Sequence, residues 1–246
     1  MIKKIYATSV LIAICLTVSC LLTTVGCSTK AGMDPDQARL MKMAQRANDV
    51  IDVQNLMARL CRDAESYEYY GNDLANLMAL KTPGTSYLVP MGPVGGEEIT
   101  KNMNERTKTA TPLGQIHEFK LSSPIIEIAG DGKTAQGLWD LFGADVENNK
   151  DTGGWLSVSI GGDFVKEDGQ WKIWHVLVYP KYLLPTNKTW VDNAAKTMKA
   201  PGIPPGLCGP KDQKTQWIWD GKSNRPRGVP WVPVPYEHFD LAHAYN

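Results

Sequence analysis

The chain has 246 residues, and its 26 Lys and Arg residues balance 26 Asp and Glu residues, so the formal net charge is zero. A protein that follows nucleic-acid phosphates carries a basic surface, and this balance therefore argues against a nucleic-acid partner. With 43% hydrophobic and 21% charged residues, the composition excludes a disordered chain, a collagen and a membrane protein with many spans.

Residues 1–27 are typical of an export signal. Lys3 and Lys4 supply positive charge, and Ile5–Val25 runs almost without charge. The run is long enough to span a bilayer, so an uncleaved anchor and plain secretion are the alternatives. The stretch LTTVGCS is similar to a bacterial lipoprotein cleavage box, which predicts cleavage before Cys27 and a lipid on that cysteine. Residues 28–36 would then tether an exported domain to a membrane, facing the periplasm or the cell exterior.

The domain, which we place at residues 37–180, begins with helical patterns. Residues 36–70 lack both Gly and Pro, and their apolar side chains recur at helical spacing: Val53, Leu56, Met57, Leu60, Ala64 and Tyr67. A second helix is predicted over Asn72–Lys81, a brief strand over Thr85–Pro90 and a third helix over residues 97–108.

Four alternating segments follow, and they predict strands: His117–Ile128, Lys133–Val146, Trp155–Glu167 and Gln170–Tyr179. Asp-Gly pairs at 131–132 and 168–169 separate the first two and the last two strands, and such pairs favour tight hairpins because Gly accepts the positive φ these turns need. Helices followed by consecutive antiparallel hairpins predict a segregated α+β fold.

Residues 181–246 have a different character. Ten of the 16 prolines lie between Pro180 and Pro235, and four tryptophans are interleaved with them: Trp190, Trp217, Trp219 and Trp231. A disordered segment rarely holds so many large apolar rings. We therefore predict an irregular C-terminal arm packed on the domain, with Trp217–Trp219 covering the sheet, the pocket opening or a partner subunit.

Few residues suggest a metal site or a disulfide framework. The chain lacks an HExxH motif, paired CxxC motifs and a His-x-His pair, so no metal site is predicted. After removal of the signal, the cysteines that remain beyond the lipid site are Cys61 and Cys208. They could pair in an oxidising compartment, but Cys61 lies within an apolar helical pattern, where a small buried side chain is the simpler role.

Four segments within residues 45–180 resemble SnoaL-like proteins of the nuclear transport factor 2 (NTF2-like) superfamily. They are Asp52–Arg59 (DVQNLMAR), Gly92–Ile99 (GPVGGEEI), Pro124–Trp139 (PIIEIAGDGKTAQGLW) and Asp163–His175 (DFVKEDGQWKIWH). The resemblance implies a strongly bent antiparallel sheet wrapped around helices, with an apolar pocket inside the resulting cone. It also leaves a homodimer or trimer open, because these folds often pair through the outer sheet face.

Relatives in this superfamily include scytalone dehydratase, bile acid 7α-dehydratase and ketosteroid isomerase, which need no cofactor and place an acid and a base in a dry pocket. The resemblance therefore implies a cofactor-independent lyase of the dehydratase or isomerase type. Its substrate would be a hydrophobic, hydroxylated small molecule, aromatic or polycyclic. The alternative is a non-catalytic exported protein that binds such a molecule in the same pocket.

Strand parity selects two candidate histidines. Glu118 and Lys120 are charged, so their side chains should face water, which places His117 and Phe119 inward. Lys172 marks the outer face of the last strand in the same way. His175 and Trp171 are accordingly predicted to point inward, although a lone inward histidine is more often a structural core residue.

Two candidates lie on the first helix. Asp63 follows Leu60 by three residues on the apolar stripe, where an acid must be paired or functional. Tyr67, one turn further, could donate a phenolic hydrogen bond to a substrate oxygen, or could simply be a tyrosine at the rim of the core. With His117 and His175 they form the predicted catalytic set.

The resemblance also assigns slots that this chain fills differently. The dehydratases carry a tyrosine at the slot of Leu60, an acid at the slot of Glu65 and a histidine at the slot of Phe119. Leu60 and Phe119 cannot perform acid–base chemistry, and they are expected to line the pocket together with Trp139 and Trp171. His117 keeps the inward parity two residues from the family position.

Overall fold

A long helix and a six-stranded sheet form most of the chain described by a computed structural model, which covers residues 34–65, 74–89, 92–95, 116–146, 153–190 and 230–245. The chain divides into two compact units, Met1–Ala44 and Gln45–Asn246, and the sheet lies in the second. The elements are helices α1 (Pro35–Glu65) and α2 (Leu74–Leu77) and strands β1 (Ser86–Val89), β2 (Gly92–Gly95), β3 (Ile116–Ile128), β4 (Thr134–Val146), β5 (Gly154–Glu167) and β6 (Gln170–Pro185).

Helix α1 begins where its sequence provides a start signal. The Asp34 carboxylate accepts a hydrogen bond from the Asp36 amide at 3.3 Å, and Pro35 occupies the first helical position, where its missing N–H costs nothing. The helix continues through Glu65, and the end predicted at residue 70 lies outside the described residues. Its buried stripe contains Asp49, Val53, Leu56, Met57, Leu60 and Asp63.

Helix α2 is shorter than the predicted helix over Asn72–Lys81. Met78 leaves the helix to form a parallel bridge with Ile173, and the Ala79 amide donates to the Ile173 carbonyl at 2.7 Å. Pairing with the sheet therefore replaces the last helical turns. The brief predicted strand is present as β1, whereas β2 was not predicted, and the predicted third helix at 97–108 lies outside the described residues.

The described strands are ordered β2-β1-β6-β5-β4-β3. Both predicted hairpins form at their Asp-Gly turns, where Gly132 and Gly169 have φ of 71° and 78° and Asp168 has φ of 51°. The α+β class is confirmed. One pairing departs from an all-antiparallel sheet, because β1 runs parallel to β6.

The core lies between α1 and the sheet face that we call the inner face. Its apolar cluster includes Trp139, Phe164 and Ile173 from the sheet and Val53 and Met57 from the helix. The Trp139 and Phe164 rings meet edge to face at 5.9 Å, a favourable geometry for aromatic pairs. Gly137 makes room for this packing, because a Cβ atom there would stand 2.2 Å from the Trp139 ring.

Asp49 anchors α1 to the hairpin formed by β5 and β6. Its Oδ1 atom accepts hydrogen bonds from Trp171 Nε1 at 2.9 Å and Gln45 Nε2 at 3.1 Å, and Lys166 Nζ lies 2.9 Å away. The Lys166 ammonium also stands 4.7 Å from the Trp171 ring centroid. Burial raises the pKa of Asp49, but the three donors outweigh that effect and hold it below its ordinary value.

The opposite, outer face of the sheet is covered in part by residues Pro230–Tyr245, which we call the docking segment. The Tyr245 ring is fully buried against Gly161, where a Cβ atom would stand 2.3 Å from the ring. Strand β6 continues to Pro185, beyond residue 180 where the sequence places the start of the arm. Pro180 is accommodated at a β-bulge, since Val158 pairs with Pro180 and Ser157 pairs with Tyr182.

Replacement of Asp49 should destabilise the domain. Asp49→Asn removes a buried charge partner from Lys166, and we expect the free energy of unfolding to fall by about 2 kcal/mol. Urea unfolding at neutral pH measures the change. Asp52→Asn, an exposed carboxylate on the same helix, is the matched control and should change stability by less than about 0.5 kcal/mol. Equal effects of the two substitutions would show that the anchor contributes nothing.

The lowered pKa of Asp49 also predicts a pH dependence. A carboxyl group whose pKa is lower when folded stabilises the protein above its unfolded pKa of about 3.9, and that contribution disappears as pH falls through the folded value. Between pH 5 and acid conditions, wild-type stability should therefore fall more steeply than that of Asp49→Asn. Urea midpoints measured across this range test the prediction. If the midpoints of the two proteins fall equally with decreasing pH, Asp49 is not the source of the pH dependence.

Candidate active site

His117 lies near the start of β3 on the inner face. It shares strand parity with Phe119 and Leu121, and both of those side chains pack against the core cluster. Its imidazole is partly buried, its Nε2 atom is fully buried, and its ring centroid lies 6.1 Å from that of Phe119. The structure therefore gives His117 the inward orientation that strand parity predicts.

Asp63 lies at the same end of the sheet, on the buried stripe of α1. The residue is 7% exposed, and its Oδ2 atom is buried. Among the described residues, Asp63 also borders an open surface depression of about 420 Å³, whose other lining residues, Asn55, Ala58, Arg59 and Arg62, lie on the exposed side of α1 and do not include His117. The carboxylate therefore lies at the edge of the buried stripe, between the apolar core and the exposed side of the helix.

The end of α1 is held on β3 by Glu65 and Cys61. Glu65 Oε1 accepts a hydrogen bond from the Phe119 amide at 2.7 Å, and the Cys61 thiol donates to the Phe119 carbonyl at 3.6 Å. Glu65 also pairs with Arg62 at 2.9 Å. These contacts fix the helix end that carries Asp63 against the strand that carries His117.

The two anchoring residues have structural roles in this arrangement. Cys61 is a free thiol, and burial followed by the charge of Glu65 raises its pKa to about 11, so it is a poor nucleophile. Glu65 occupies the slot that the family resemblance gives to an acid, but its carboxylate is engaged by the main chain of Phe119. The acid with a buried oxygen at this end of α1 is therefore Asp63.

The four residues predicted to line a pocket are found on the inner side of the sheet and helix. Leu60, Trp139 and Trp171 belong to the core cluster, and Phe119 packs against it. Trp171 is held by Asp49, near the middle of α1. Tightly packed rings therefore fill the interior there, whereas His117 and Asp63 lie nearer the C-terminal end of the helix.

His175 does not face the interior, contrary to the parity prediction. Asp163 pairs with His175 and Phe164 pairs with Ile173, so Trp174 is an extra residue in β6. A bulge of one residue moves every following side chain to the other face. Phe164 and Ile173 remain inward, whereas His175 lies beneath the docking segment on the outer face.

The outer-face histidine is part of a buried polar network centred on Asp163. Its Nδ1 atom donates to Asp163 Oδ2 at 2.9 Å, and the Tyr245 amide donates to the same oxygen at 2.7 Å. Gln136 Nε2 donates to Asp163 Oδ1 at 2.8 Å. His175 is 1% exposed and Asp163 is 0% exposed, so this pair has no contact with a ligand site on the inner face.

Sequence patterns missed this network and one further polar group. Asp163 and Gln136 were not singled out, although their alternation with the inward Phe164 and Ala135 places them on the outer face. Tyr87 in β1 is paired with the fully buried Val176 and packs against the core cluster, so its phenol belongs to the inner side. The alternation of residues in the segment Ser86–Val89 was the sequence pattern that could have predicted the inward orientation of Tyr87.

Several predicted positions are not described. Tyr67 and the lipid site Cys27 lie outside the described residues, as do Cys208 and Trp217–Trp219. Within the described ranges, the structure contains no group of three or more His, Cys, Asp and Glu residues that could hold a metal ion.

The described fold agrees with the α+β arrangement that the sequence resemblance implies. No protein-family model and no curated protein matches the chain. Among solved structures, it is similar to a proposed scytalone dehydratase from Novosphingobium aromaticivorans, at 14% identity, covering 60% of this chain and 93% of that one, with a TM-score of 0.47.

Two further solved structures show a similar level of likeness. One is the hexachlorocyclohexane dehydrochlorinase LinA-type3 from Novosphingobium barchaimii, with 16% identity, 59% and 95% coverage and a TM-score of 0.46. The other is an NTF2-like protein with a cystatin-like fold from Novosphingobium aromaticivorans, with 16% identity, 66% and 97% coverage and a TM-score of 0.42.

Proposed function

We propose that the protein is a cofactor-independent lyase of the dehydratase or isomerase type that acts on a hydrophobic, hydroxylated small molecule. The observation that carries the proposal is the placement of His117 and Asp63 on the inner side of one end of the domain. All other side chains of the buried α1 stripe from Val53 to Leu60 are apolar. Acid–base catalysis without a cofactor requires ionisable side chains next to an apolar interior, and His117 and Asp63 are placed in this way on two neighbouring elements.

In a dehydration, the proposed roles balance protons without an external reagent. His117 removes a proton from the carbon next to a carbonyl or aryl group, and the electron pair of the broken C–H bond forms the double bond. The C–O bond breaks as the protonated His117 returns that proton to the hydroxyl, which leaves as water. Asp63 orients the imidazole or abstracts the proton itself. Apolar walls strengthen each hydrogen bond to the developing charge because they exclude water.

The pocket chemistry favours an aromatic or polycyclic substrate. Phe119 presents its ring 6.1 Å from His117, and Leu121 lies on the same face. Planar apolar molecules bury large areas against such side chains, while a few polar groups fix their orientation. A tyrosine that polarises the substrate oxygen would complete the set, and Tyr67 is the candidate from the sequence.

A non-catalytic exported binding protein is the second candidate, and a specific observation favours it. Leu60 and Phe119 occupy slots where the related dehydratases carry a tyrosine and a histidine, and Glu65 is engaged by the Phe119 amide. A chain that had kept the pocket and lost the chemistry would show these features. Turnover distinguishes the two candidates.

Substitution at the candidate pair should abolish turnover while preserving the fold. We expect His117→Ala and Asp63→Asn each to lower kcat by about 10²–10⁴-fold on any hydroxylated aromatic or polycyclic compound that the wild-type protein converts. Mass spectrometry of the product detects loss of water or isomerisation. Glu118→Gln and Asp52→Asn, exposed neighbours on the same strand and helix, are the matched controls and should retain activity.

Two results would contradict the lyase proposal. Compounds that bind tightly and return unchanged would identify a binding protein instead. Full turnover by both substituted proteins would place the chemistry elsewhere in the chain. Circular dichroism and thermal unfolding of each variant separate a catalytic loss from a folding defect.

We also propose that the chain is exported, cleaved before Cys27 and anchored by a lipid on that residue. Lys3, Lys4 and the uncharged run Ile5–Val25 support export, and the stretch LTTVGCS supports lipidation. Within the described ranges, no helix has the length and apolar character needed to cross a membrane. The signal itself lies outside those ranges.

Mass spectrometry of the native protein tests the anchor. We expect a mature N-terminus at Cys27 that carries the added lipid mass, and Cys27→Ser should shift the protein from the membrane fraction to the soluble fraction. An intact Met1, or a mature N-terminus elsewhere without modification, would contradict the proposal.

A further inference from the structure

The docking segment, Pro230–Tyr245, contacts the sheet through several residues between Tyr236 and Tyr245. At one end, the Gly130 amide donates to the Tyr236 carbonyl at 2.9 Å and the Asp131 amide donates to the Glu237 carbonyl at 3.3 Å. Phe239 lies in the middle, with its ring centroid 4.8 Å from that of Trp174. The main chain of the segment is thus recognised by the turn between β3 and β4.

The other end fills a socket formed by Gln136, Gly161 and Asp163. The Tyr245 ring lies on the bare backbone of Gly161, and its amide donates to Asp163 Oδ2 at 2.7 Å. Gln136 Nε2 donates to the His243 carbonyl at 2.8 Å. The socket therefore binds two main-chain groups, the His243 carbonyl and the Tyr245 amide, and one aromatic side chain, that of Tyr245.

The docking segment also contains internal contacts between Trp231, near its start, and Tyr245, its last residue. The Trp231 and Tyr245 rings are stacked at 4.6 Å with an interplanar angle of 4°, and the Tyr245 hydroxyl donates to the Trp231 carbonyl at 2.8 Å. These contacts are internal to the segment. It consequently presents a compact surface made of its own residues.

Among the described residues outside the segment, those that form the socket all belong to the sheet. Asp163 pairs in register with Gln136 on one side and with His175 on the other, so strand pairing fixes the carboxylate and its neighbours. The described contacts of the socket are made with residues of the segment itself: the Tyr245 ring, the Tyr245 amide and the His243 carbonyl.

We propose that this socket is a peptide-binding site whose ligand is the sequence of the docking segment, and that a second copy of the chain can supply it. Main-chain hydrogen bonds to a sheet provide affinity, and a pocket for one side chain provides specificity. The partner chemistry is a segment with an aromatic residue whose N–H faces Asp163. In a single chain, the local concentration of the covalently joined segment keeps the socket occupied.

The first experiment adds a synthetic peptide of residues 230–246 to the full chain carrying Tyr245→Ala, whose own segment can no longer fill the socket. We expect calorimetry to show saturable binding, and a peptide with Tyr245→Ala to bind about 30-fold more weakly, since a buried aromatic anchor dominates such contacts. A peptide with His243→Ala is the matched control. The side chain of His243 is 75% exposed, and the socket uses only its carbonyl, so this peptide should bind as well as the original.

Two substitutions in the receiving chain test the socket itself. In the Tyr245→Ala background, Gly161→Val places side-chain atoms where the aromatic ring must lie, and peptide binding should be lost. Ser157→Val on the same strand and face lies outside the socket and should leave binding unchanged. If Tyr245→Ala does not fold, Tyr245→Leu keeps an apolar side chain at this position and serves as the receiving chain.

Mixing two full chains tests the exchange between copies. A chain with Gly161→Val has an intact segment and a blocked socket, whereas a chain with Tyr245→Ala has an open socket and a defective segment. We expect a one-to-one complex of the two in sedimentation analysis, and no complex in either chain alone. Equal binding of the original and Tyr245→Ala peptides, failure of both peptides to bind a folded receiver, or absence of the mixed complex would overturn the proposal.

Discussion

The Asp163 carboxylate is the group on which the outer half of the structure depends. A carboxylate without solvent contact is costly to bury unless donors replace its lost water. Here the donors are His175, Gln136 and the Tyr245 amide, and they come from two neighbouring strands and from the docking segment. One side chain therefore joins β4, β5 and β6 to the segment, and it does so beside the bulge that sets which residues of β6 face the core.

The bulge at Trp174 explains how this arrangement coexists with a packed interior. Before it, Trp171 and Ile173 point inward, and after it Val176 and Val178 point inward. Without the extra residue, the second pair would face outward and His175 would enter the core. The polar network on one face and the apolar cluster on the other are thus two results of the same local irregularity.

Much of the fold could be predicted from local patterns. The Asp-Gly turns at 131–132 and 168–169 specify their hairpins because a positive φ is needed there, and the apolar stripe of α1 specifies its buried face. The bulge could not be predicted in the same way. Leu177 and Tyr179 are buried on the outer face and are as apolar as their inward neighbours, so the change of parity after Ile173 leaves no visible break in the pattern.

From the sequence, one could predict which candidate-site residues lie at one end of the domain, but not the contacts that hold them there. Asp63 interrupts an apolar stripe, and His117 alternates with charged neighbours, so both could be found from spacing. The role of Glu65 could not, because its partner is the main-chain amide of Phe119, which is distant in sequence and carries no side-chain signature. Tyr87 was hidden for a related reason, since its inward orientation follows from a parallel pairing with β6.

The position of the docking segment along the chain has a consequence for the order of folding. Residues 186–229 separate it from β6, so during synthesis all six described strands are complete before the first residue of the segment exists. Until then the Asp163 carboxylate lacks the Tyr245 amide as a donor, and closure of the segment supplies it. Closure of the segment therefore adds the final described donor to a buried carboxylate after the strands that position this carboxylate have been synthesised.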